Sequence, residues 1–371
     1  MVDTPKVRHN PTVPFDYGTL LKDAATFYVN NKVYEGFTNI SLTRNMLSLT
    51  GTFDITLVDK WRSEKADFEI KPGDRIHCHL GKLPLFEGWV DRFSISLSTS
   101  SRNISLSGRD RTSDLIDCSI QGNSEYNDLD FLGIATELLR PFNLKAFSNV
   151  DVGKAFSKFT IRQGETIFEA LERAAKERQL LLMSTTHGNL LIDKKGSQRA
   201  IGELIEGINV LSANATFDNA ERFSEYTVKG QTPGILGGTD DATKGQGKSF
   251  DKGIKRFRPI IILAENAVDK DAAQKRAEFE SSYRAANGTK VSVTVQGWRQ
   301  KDGSLWQANQ IIHVDIRSVG LKSDMLISSV TFTQSENGRT CAFELMRPDA
   351  FEFKTEIKAE DDPLSSIGWD A

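Results

Sequence analysis

Residues 242–249 read ATKGQGKS: a small residue, four variable positions, then Gly247, Lys248 and Ser249, the permissive form of a phosphate-binding loop. Such a loop cradles phosphate only where a buried strand delivers it and a helix leaves it, so that backbone amides and a helix N-terminus converge on the anion. The flanks supply neither. Upstream, GQTPGILGGTDD carries glycines and a proline that a central strand does not tolerate, and downstream FDKGIKRF has no apolar helical stripe. A buried strand ending in a magnesium-holding Asp is the second requirement, and Leu190-Leu191-Ile192-Asp193, followed by Lys194 and Lys195, is a poor substitute. The segment from Gly230 to Arg258 therefore reads as a mobile loop rich in Gly, Lys and Asp. Its basic residues Lys244, Lys248, Lys252, Lys255, Arg256 and Arg258 alternate with only Phe250 and Phe257 and are diluted by Asp240, Asp241 and Asp251. That composition fits a solvated loop, ordered by a partner, better than a nucleic-acid groove.

His77 and His79 share one face of a predicted strand, with Cys78 on the other. Two imidazoles could hold a metal, but the immediate segment offers no acidic or Cys ligand to complete the site, so the pair reads as surface or interface histidines. His9 falls in the N-terminal arm, His187 in a turn and His313 on a strand, and no Ser-His-Asp or Cys-His order emerges. A nucleophile elbow is absent. Carboxylates are plentiful, and a glycosidase pair drawn from distant parts of the chain stays open. No catalytic, cofactor-binding or metal-ligating residue is assigned, and the chain reads as a non-enzyme without a cofactor.

The 371 residues suffice for two or three domains with cores of their own, and 39% hydrophobic with 26% charged residues is ordinary for a globular protein. A net charge of −3 disfavours a dedicated nucleic-acid binder. Cys78, Cys118 and Cys341 are odd in number and far apart, which indicates neither a disulfide framework nor a zinc site and suits synthesis in the cytoplasm. The N-terminal MVDTPKVRHNPTVPFDYG has three prolines and no apolar core, so no signal peptide is expected, nor any stable membrane insertion.

The elements that would position these residues form a mainly β, α+β chain. Residues 1–18 read as a flexible arm. From 19 to 112, period-two alternation (Phe53, Ile55, Leu57; Phe93, Ile95, Leu97) predicts short antiparallel strands of a small barrel or sandwich, with a first β-barrel domain as the expectation. A mixed α/β domain is expected over 113–212. There DLDFLGIATELLRPF puts Phe131, Ile134, Leu138 and Leu139 on one helical face, and GETIFEALERAAKERQ opens with the capping box Thr166-x-x-Glu169 and buries Phe168, Leu171 and Ala175. LLLMSTTHGNLLID follows as a hairpin turning at His187-Gly188. A second β-barrel domain spans 213–355, with the Gly/Lys loop 230–258, a helix over 268–286 and a hairpin at Asn337-Gly338. Residues 356–371 form an acidic tail.

The two β regions look like copies. PGDRIHCHL (72–80) lies over ANQIIHVDI (308–316), with His77 over His313. Phe53, Ile55 and Leu57 lie over Val291, Val293 and Val295, and Phe93, Ile104, Leu106 and Asp110 lie over Phe332, Phe343, Leu345 and Asp349. A duplicated module in a symmetric trimer would present six similar modules in a ring.

LSGRDRTSDLIDCSI at the end of the first β region, IRQGETIFEALERAAKERQLLLMSTTHGNLLI, and GWRQKDGSLWQANQIIHVDI followed by ISSVTFTQ and FELMRPDAF carry a resemblance that covers nearly the whole chain. Together they resemble the baseplate hub proteins of contractile-tailed phages, in particular the tail protein of Mu-like phages. The resemblance implies a structural virion protein of the tail baseplate. It would be a homotrimer with pseudo-sixfold symmetry, joining the tail tube protein to a central spike protein among other baseplate proteins. The related hub part of type VI secretion spike proteins carries its spike in the same chain; here the sequence ends at Ala371 without a β-helical repeat, so a separate spike is expected. The alternative from another class is a cell-envelope hydrolase or carbohydrate-binding tail protein, and a nucleotide-driven assembly factor would stand or fall with Lys248.

Overall fold

The structure is a computed structural model that describes residues 25–30, 32–34, 37–59, 70–99, 102–122, 124–178, 180–230, 245–263 and 270–348. The expected arm (1–18), the early part of the Gly/Lys loop (231–244) and the acidic tail (356–371) lie outside the described residues. The chain is mainly β with few helices, as the sequence predicts. It divides into two compact units, one built from the described residues of 1–197 and 329–341, the other from those of 198–328 and 342–371.

The first unit begins with β1 (Ala25–Val29), β2 (Lys32–Tyr34), β3 (Asn39–Asn45), β4 (Thr52–Asp59), β5 (Arg75–Leu80), β6 (Leu83–Leu97) and β7 (Arg102–Asp110). They pair antiparallel in the order β2-β1-β5-β6-β7-β4-β3. Register places apolar side chains opposite one another on one face: Leu42 faces Phe53, and Ile55 faces both Ile40 and Leu106. Gly108 sits opposite Phe53, where a Cβ would lie 2.7 Å from the Phe53 ring and 2.0 Å from Trp89 O, so only glycine admits the neighbouring strand and ring. β6 changes partners along its length, pairing with β5 up to Trp89 and with β7 from Gly88 to Leu97, with a register shift between Val90 and Arg92.

The mixed segment follows with α1 (Ser113–Asp117), β8 (Glu125–Tyr126), α2 (Phe131–Leu139), β9 (Ala146–Ser148), β10 (Phe159–Thr160), α3 (Ile167–Glu177), β11 (Leu181–Ser184) and β12 (Leu190–Asp193). Phe131, Ile134, Leu138 and Leu139 are buried as their spacing predicts, in one cluster with Leu171, Ala175, Leu190 and Ile192. The capping box forms in both directions: Glu169 N donates to Thr166 Oγ1 at 3.2 Å and Thr166 N to Glu169 Oε2 at 2.8 Å. Phe168 is only partly buried, and Ile167 takes the central place expected for it.

The second unit contains β13 (Gln198–Ile205), β14 (Val210–Phe217), β15 (Glu225–Lys229), β16 (Gln246–Phe250), β17 (Pro259–Leu263), α4 (Lys270–Asn287), β18 (Thr289–Gln296), β19 (Gln310–Ile316), the first part of β20 (Leu321–Ser335) and the end of β21 (Gly338–Met346). The order is β14-β18-β21-β20-β19-β13. β13 and the first three residues of β14 precede the expected boundary at 213, yet these strands pair with β19 and β18; both are largely solvent-facing, so their alternation carries little signal. The remaining part of β20, Ser329–Gln334, pairs antiparallel with β3 inside the first unit.

Two expectations are corrected. Neither β region closes into a barrel among the described residues, because each strand path keeps two ends. In the first region β2, three residues long, lies at one end and makes no pairing beyond β1, while β6 leaves β5 at its register shift. The second correction falls inside the expected loop 230–258. Gln246–Phe250 is a strand pairing antiparallel with β15, which also pairs in parallel with β17. Its period-two apolar signal is missing because Lys248 and Phe250 face solvent and the inward position is Gly247.

Candidate functional site

The phosphate-loop motif is explained by packing. Gly247 lies on β16 where α4 crosses: a Cβ there would sit 2.2 Å from Gln274 N and 2.3 Å from Ala273 C. Gln274 also clasps the strand, accepting from Lys248 N at 3.0 Å and donating to Lys248 O at 2.9 Å. Lys248 Nζ is 2.6 Å from Glu225 Oε1, its cross-sheet neighbour. Ala273 and Ala277 of α4 bury Val228 of β15 beneath them. The strand that should enter a phosphate loop is thus made by the motif itself. Asp193, the weak magnesium candidate, is buried at the end of β12 and accepts from Asn149 Nδ2 at 3.0 Å. Arg258, from the basic run, lies over Phe223 and donates to Asn219 O and Ala220 O.

His77 and His79 do share a face of β5, with Cys78 buried on the other. Tyr28 of β1 stacks on His77, ring centroids 4.7 Å apart, and meets His79 edge-on at 5.5 Å. The cross-strand partner of His77 is Glu87 of β6, a carboxylate outside the immediate segment that only strand register brings there. Arg75 donates to Glu87 Oε1, with Nε at 3.1 Å; Arg111 Nη1 lies 3.5 Å from the same oxygen, and His187 Nδ1 lies 3.8 Å from Oε2. His187 reaches the cluster from the β11–β12 turn, whose Gly188 has φ +63 and whose Cβ would fall 2.8 Å from Glu87 O. Arg75, His77, His79, Glu87 and His187 line a cavity of about 310 Å³.

Burial holds the imidazoles of His77 and His79 below their ordinary value; the charge of His79 adds to this at His77 and that of His187 at His79, while Glu87 opposes it. The His79 Nδ1 atom is buried without a hydrogen-bond partner among the described residues. Glu87 is committed to two arginines, and burial pushes the Cys78 thiol up on the far face, so that thiol is not an activated nucleophile. Among the described residues no group of three His, Cys, Asp or Glu has an arrangement able to hold a metal. What the cluster does is join: it ties β5 and β6 to the turn of the mixed segment.

A second joint lies in LSGRDRTSDLIDC. Asp110, ending β7, accepts from Thr50 Oγ1 at 2.9 Å, Gly51 N at 2.7 Å, Thr112 N at 3.0 Å and Thr112 Oγ1. Arg109 binds Asp91 and Asp117, each at 2.8 Å, and both carboxylates hold its guanidinium charged. The strand end, the loop before β4 and the start of α1 are thereby locked together.

The repeat appears in strand order. β3-β4-β7-β6-β5 in one region has the same sequence of neighbours as β14-β18-β21-β20-β19 in the other. His313 on β19, lying over His77, also faces a carboxylate in register: Nδ1 is 3.0 Å from Asp324 Oδ1, and Arg199 binds that same Asp324 at 2.6 Å.

The chain thus holds two β regions with the same order of strand neighbours and a small mixed α/β segment, and the charge clusters of its first unit are engaged within that unit. Three family models match in series: the N-terminal domain of Mu phage baseplate assembly protein GpP-like proteins over residues 25–110, the second domain of baseplate hub protein gp44-like proteins over 112–194, and the fourth domain of Mu phage baseplate assembly protein GpP over 269–354. The chain belongs to the family of the baseplate hub protein gp44 of Escherichia phage Mu, with which it is 30% identical over 321 residues, 84% of each chain. Among solved structures it is similar to the 43 kDa tail protein of prophage MuSo2 from Shewanella oneidensis, at 34% identity and TM-score 0.81, covering 88% of this chain and 99% of that one. The tail protein from Neisseria meningitidis MC58 shares the fold at 22% identity and TM-score 0.73, covering 90% of this chain and 100% of that one. The E. coli c3393 protein, a component of the type VI secretion system, shares the fold at 11% identity and TM-score 0.51, covering 93% of this chain and 77% of that one.

Proposed function

We propose that this hub protein is a non-enzymatic structural part of the virion baseplate that assembles as a homotrimer. Its two related β modules per chain form a pseudo-sixfold ring, which joins the sixfold tail tube to a threefold central spike and contacts other baseplate proteins. The observation that carries this reading is the shared strand order of the two regions: three chains then offer six similar modules, the number a sixfold tube requires. The fold shared with a type VI secretion component, itself described as similar to the phage T4 tail proteins gp27 and gp5, supports a place in a tail assembly. The charge clusters around Glu87 and Asp110 support a structural role, because their groups are engaged with one another.

Light scattering over a concentration series tests the trimer. The expected mass is three times the 41.3 kDa of one chain. A mass that stays at one or two chains at every concentration would overturn the ring. Binding of the trimer to purified tube and spike proteins tests the joint, and turnover of purified peptidoglycan would refute the non-enzymatic assignment.

A further inference from the structure

The repeat leaves two strand edges open and indicates how they meet. Ser329–Gln334 of β20 pairs with β3, putting Phe332 opposite Leu42 and Gln334 opposite Ile40. In the repeat β20 corresponds to β6, and β3 to β14. With Phe93 over Phe332, residues 331–334 correspond to Arg92–Ile95 of β6; the stretch Arg92–Leu97 pairs with β7 on one side and has no strand on the other among the described residues. β14 likewise pairs with β18 on one side and ends its sheet on the other.

Register carries across. Phe93 lies over Phe332, and Phe53 lies over Val291; Leu42 faces Phe53, while Ala215 faces Val291, so Leu42 corresponds to Ala215 and Ile40 to Ala213. We infer that Arg92–Leu97 of one copy adds antiparallel to β14 of a second copy, with Phe93 opposite Ala215, Ile95 opposite Ala213 and Leu97 opposite Leu211. The inference rests on the ring proposed above and names the contact that closes it.

The side chains suit that pairing. Ile95, Leu97 and Leu211 are 47%, 66% and 56% exposed, an apolar load that an open edge does not carry without a cover. Large residues fall opposite small ones, Phe93 and Ile95 against Ala215 and Ala213, and the only charge among the paired positions is Arg92. Backbone pairing would supply affinity and the alternate side chains register, as in other strand additions. Each chain carries one donor edge and one acceptor edge, so the contact is head to tail and generates a closed ring where its rotation permits.

The test uses the full chain with Cys118→Ser, which removes the one partly exposed thiol. Ile95→Cys protein is mixed with Ala213→Cys protein and oxidised, so that only a contact between copies can form the disulfide; the Ile95→Cys/Ala213→Cys double variant is expected to run as a covalent trimer. Ser94→Cys/Ala213→Cys, whose side chains point to opposite faces, should cross-link about tenfold less. Separately, Ile95→Asp or Leu97→Asp should raise the concentration needed for trimers by about tenfold or more, with the fold intact because both side chains are exposed in the single chain. A trimer that neither cross-links at these positions nor responds to these charges overturns the strand pairing and leaves the ring standing. A chain that remains monomeric overturns both.

Discussion

Gly247→Ala separates a packing glycine from a phosphate-loop glycine. The added methyl would lie 2.2 Å from Gln274 N and 2.3 Å from Ala273 C, both backbone atoms of α4, so no side chain can rotate away and the helix itself must retreat by more than an ångström. Overpacking of this kind costs about 1–3 kcal/mol. It would break the two hydrogen bonds between Gln274 and the backbone of Lys248 and lift Ala273 and Ala277 off Val228. Hydrogen exchange read by mass spectrometry on peptides covering β16 and α4 is the fitting assay, because the two units need not unfold together. A loss of that size accelerates opening-limited exchange by roughly 5- to 150-fold. Lys248→Ala, by contrast, removes one solvent-exposed ion pair with Glu225 and should leave exchange unchanged. A nucleotide site demands the reverse: ATP would slow exchange in the native chain, and Lys248→Ala would abolish that effect. Unchanged α4 protection in Gly247→Ala, or ATP protection dependent on Lys248, would refute the packing account.

Arg222→Met strands the carboxylate of Asp251, to which Arg222 donates through Nε at 2.9 Å and Nη2 at 3.0 Å with both side chains about 2–3% exposed, and should cost about 3–5 kcal/mol by denaturant unfolding. Adding Asp251→Leu to it should return much of that loss, and a double variant worse than the single one would contradict the desolvation argument. Asp110→Asn places an amide group against either Gly51 N or the Thr50 and Thr112 donors, and a loss of about 1–3 kcal/mol is expected, visible as faster exchange at the start of α1. For His77 and His79 the folded chain holds the imidazoles below the ordinary value of 6.5, so between that value and the folded ones the unfolded chain binds more protons. Stability of the first unit should therefore be full above the unfolded value and fall as pH drops through this window. His77→Gln/His79→Gln should flatten the slope, and an unaltered slope would reassign it to other groups.

Local signals were legible where the sequence and the tertiary contacts agree. The apolar stripe of α2, the Thr166–Glu169 box and the glycine turns at 188 and 338 are written in neighbouring residues, and each occupies its expected place. Strand β16 was not legible, because its inward position is a glycine whose meaning depends on a helix that begins 23 residues later. Glu87 was missed as the partner of His77 for a related reason: ten residues separate them in the chain, and only hairpin register makes them neighbours. Barrel closure was overread, since alternation identifies strands without saying whether the last of them finds the first.

The repeat also explains where its two copies differ. β1 runs antiparallel to β5, whereas β13, in the corresponding slot, runs parallel to β19. β2 is antiparallel to β1 and therefore has the same direction as β5. In the second copy the strand immediately preceding β14 has thus taken the slot of β1 while keeping the direction of β2, as a copy lacking one strand would do. Along the strand path the divergence lies at that end of the sheet; off the path, the second copy also carries β15, β16, β17 and α4 between β14 and β18. The opposite end, where β20 meets β3 and where the proposed contact brings β6 to β14, lies within the part whose strand order the two copies share. A mutation that reshapes β1 or β13 should accordingly act on the stability of its own unit, whereas one on β6 or β14 should act on association, and comparing hydrogen exchange with solution mass for each set distinguishes the two.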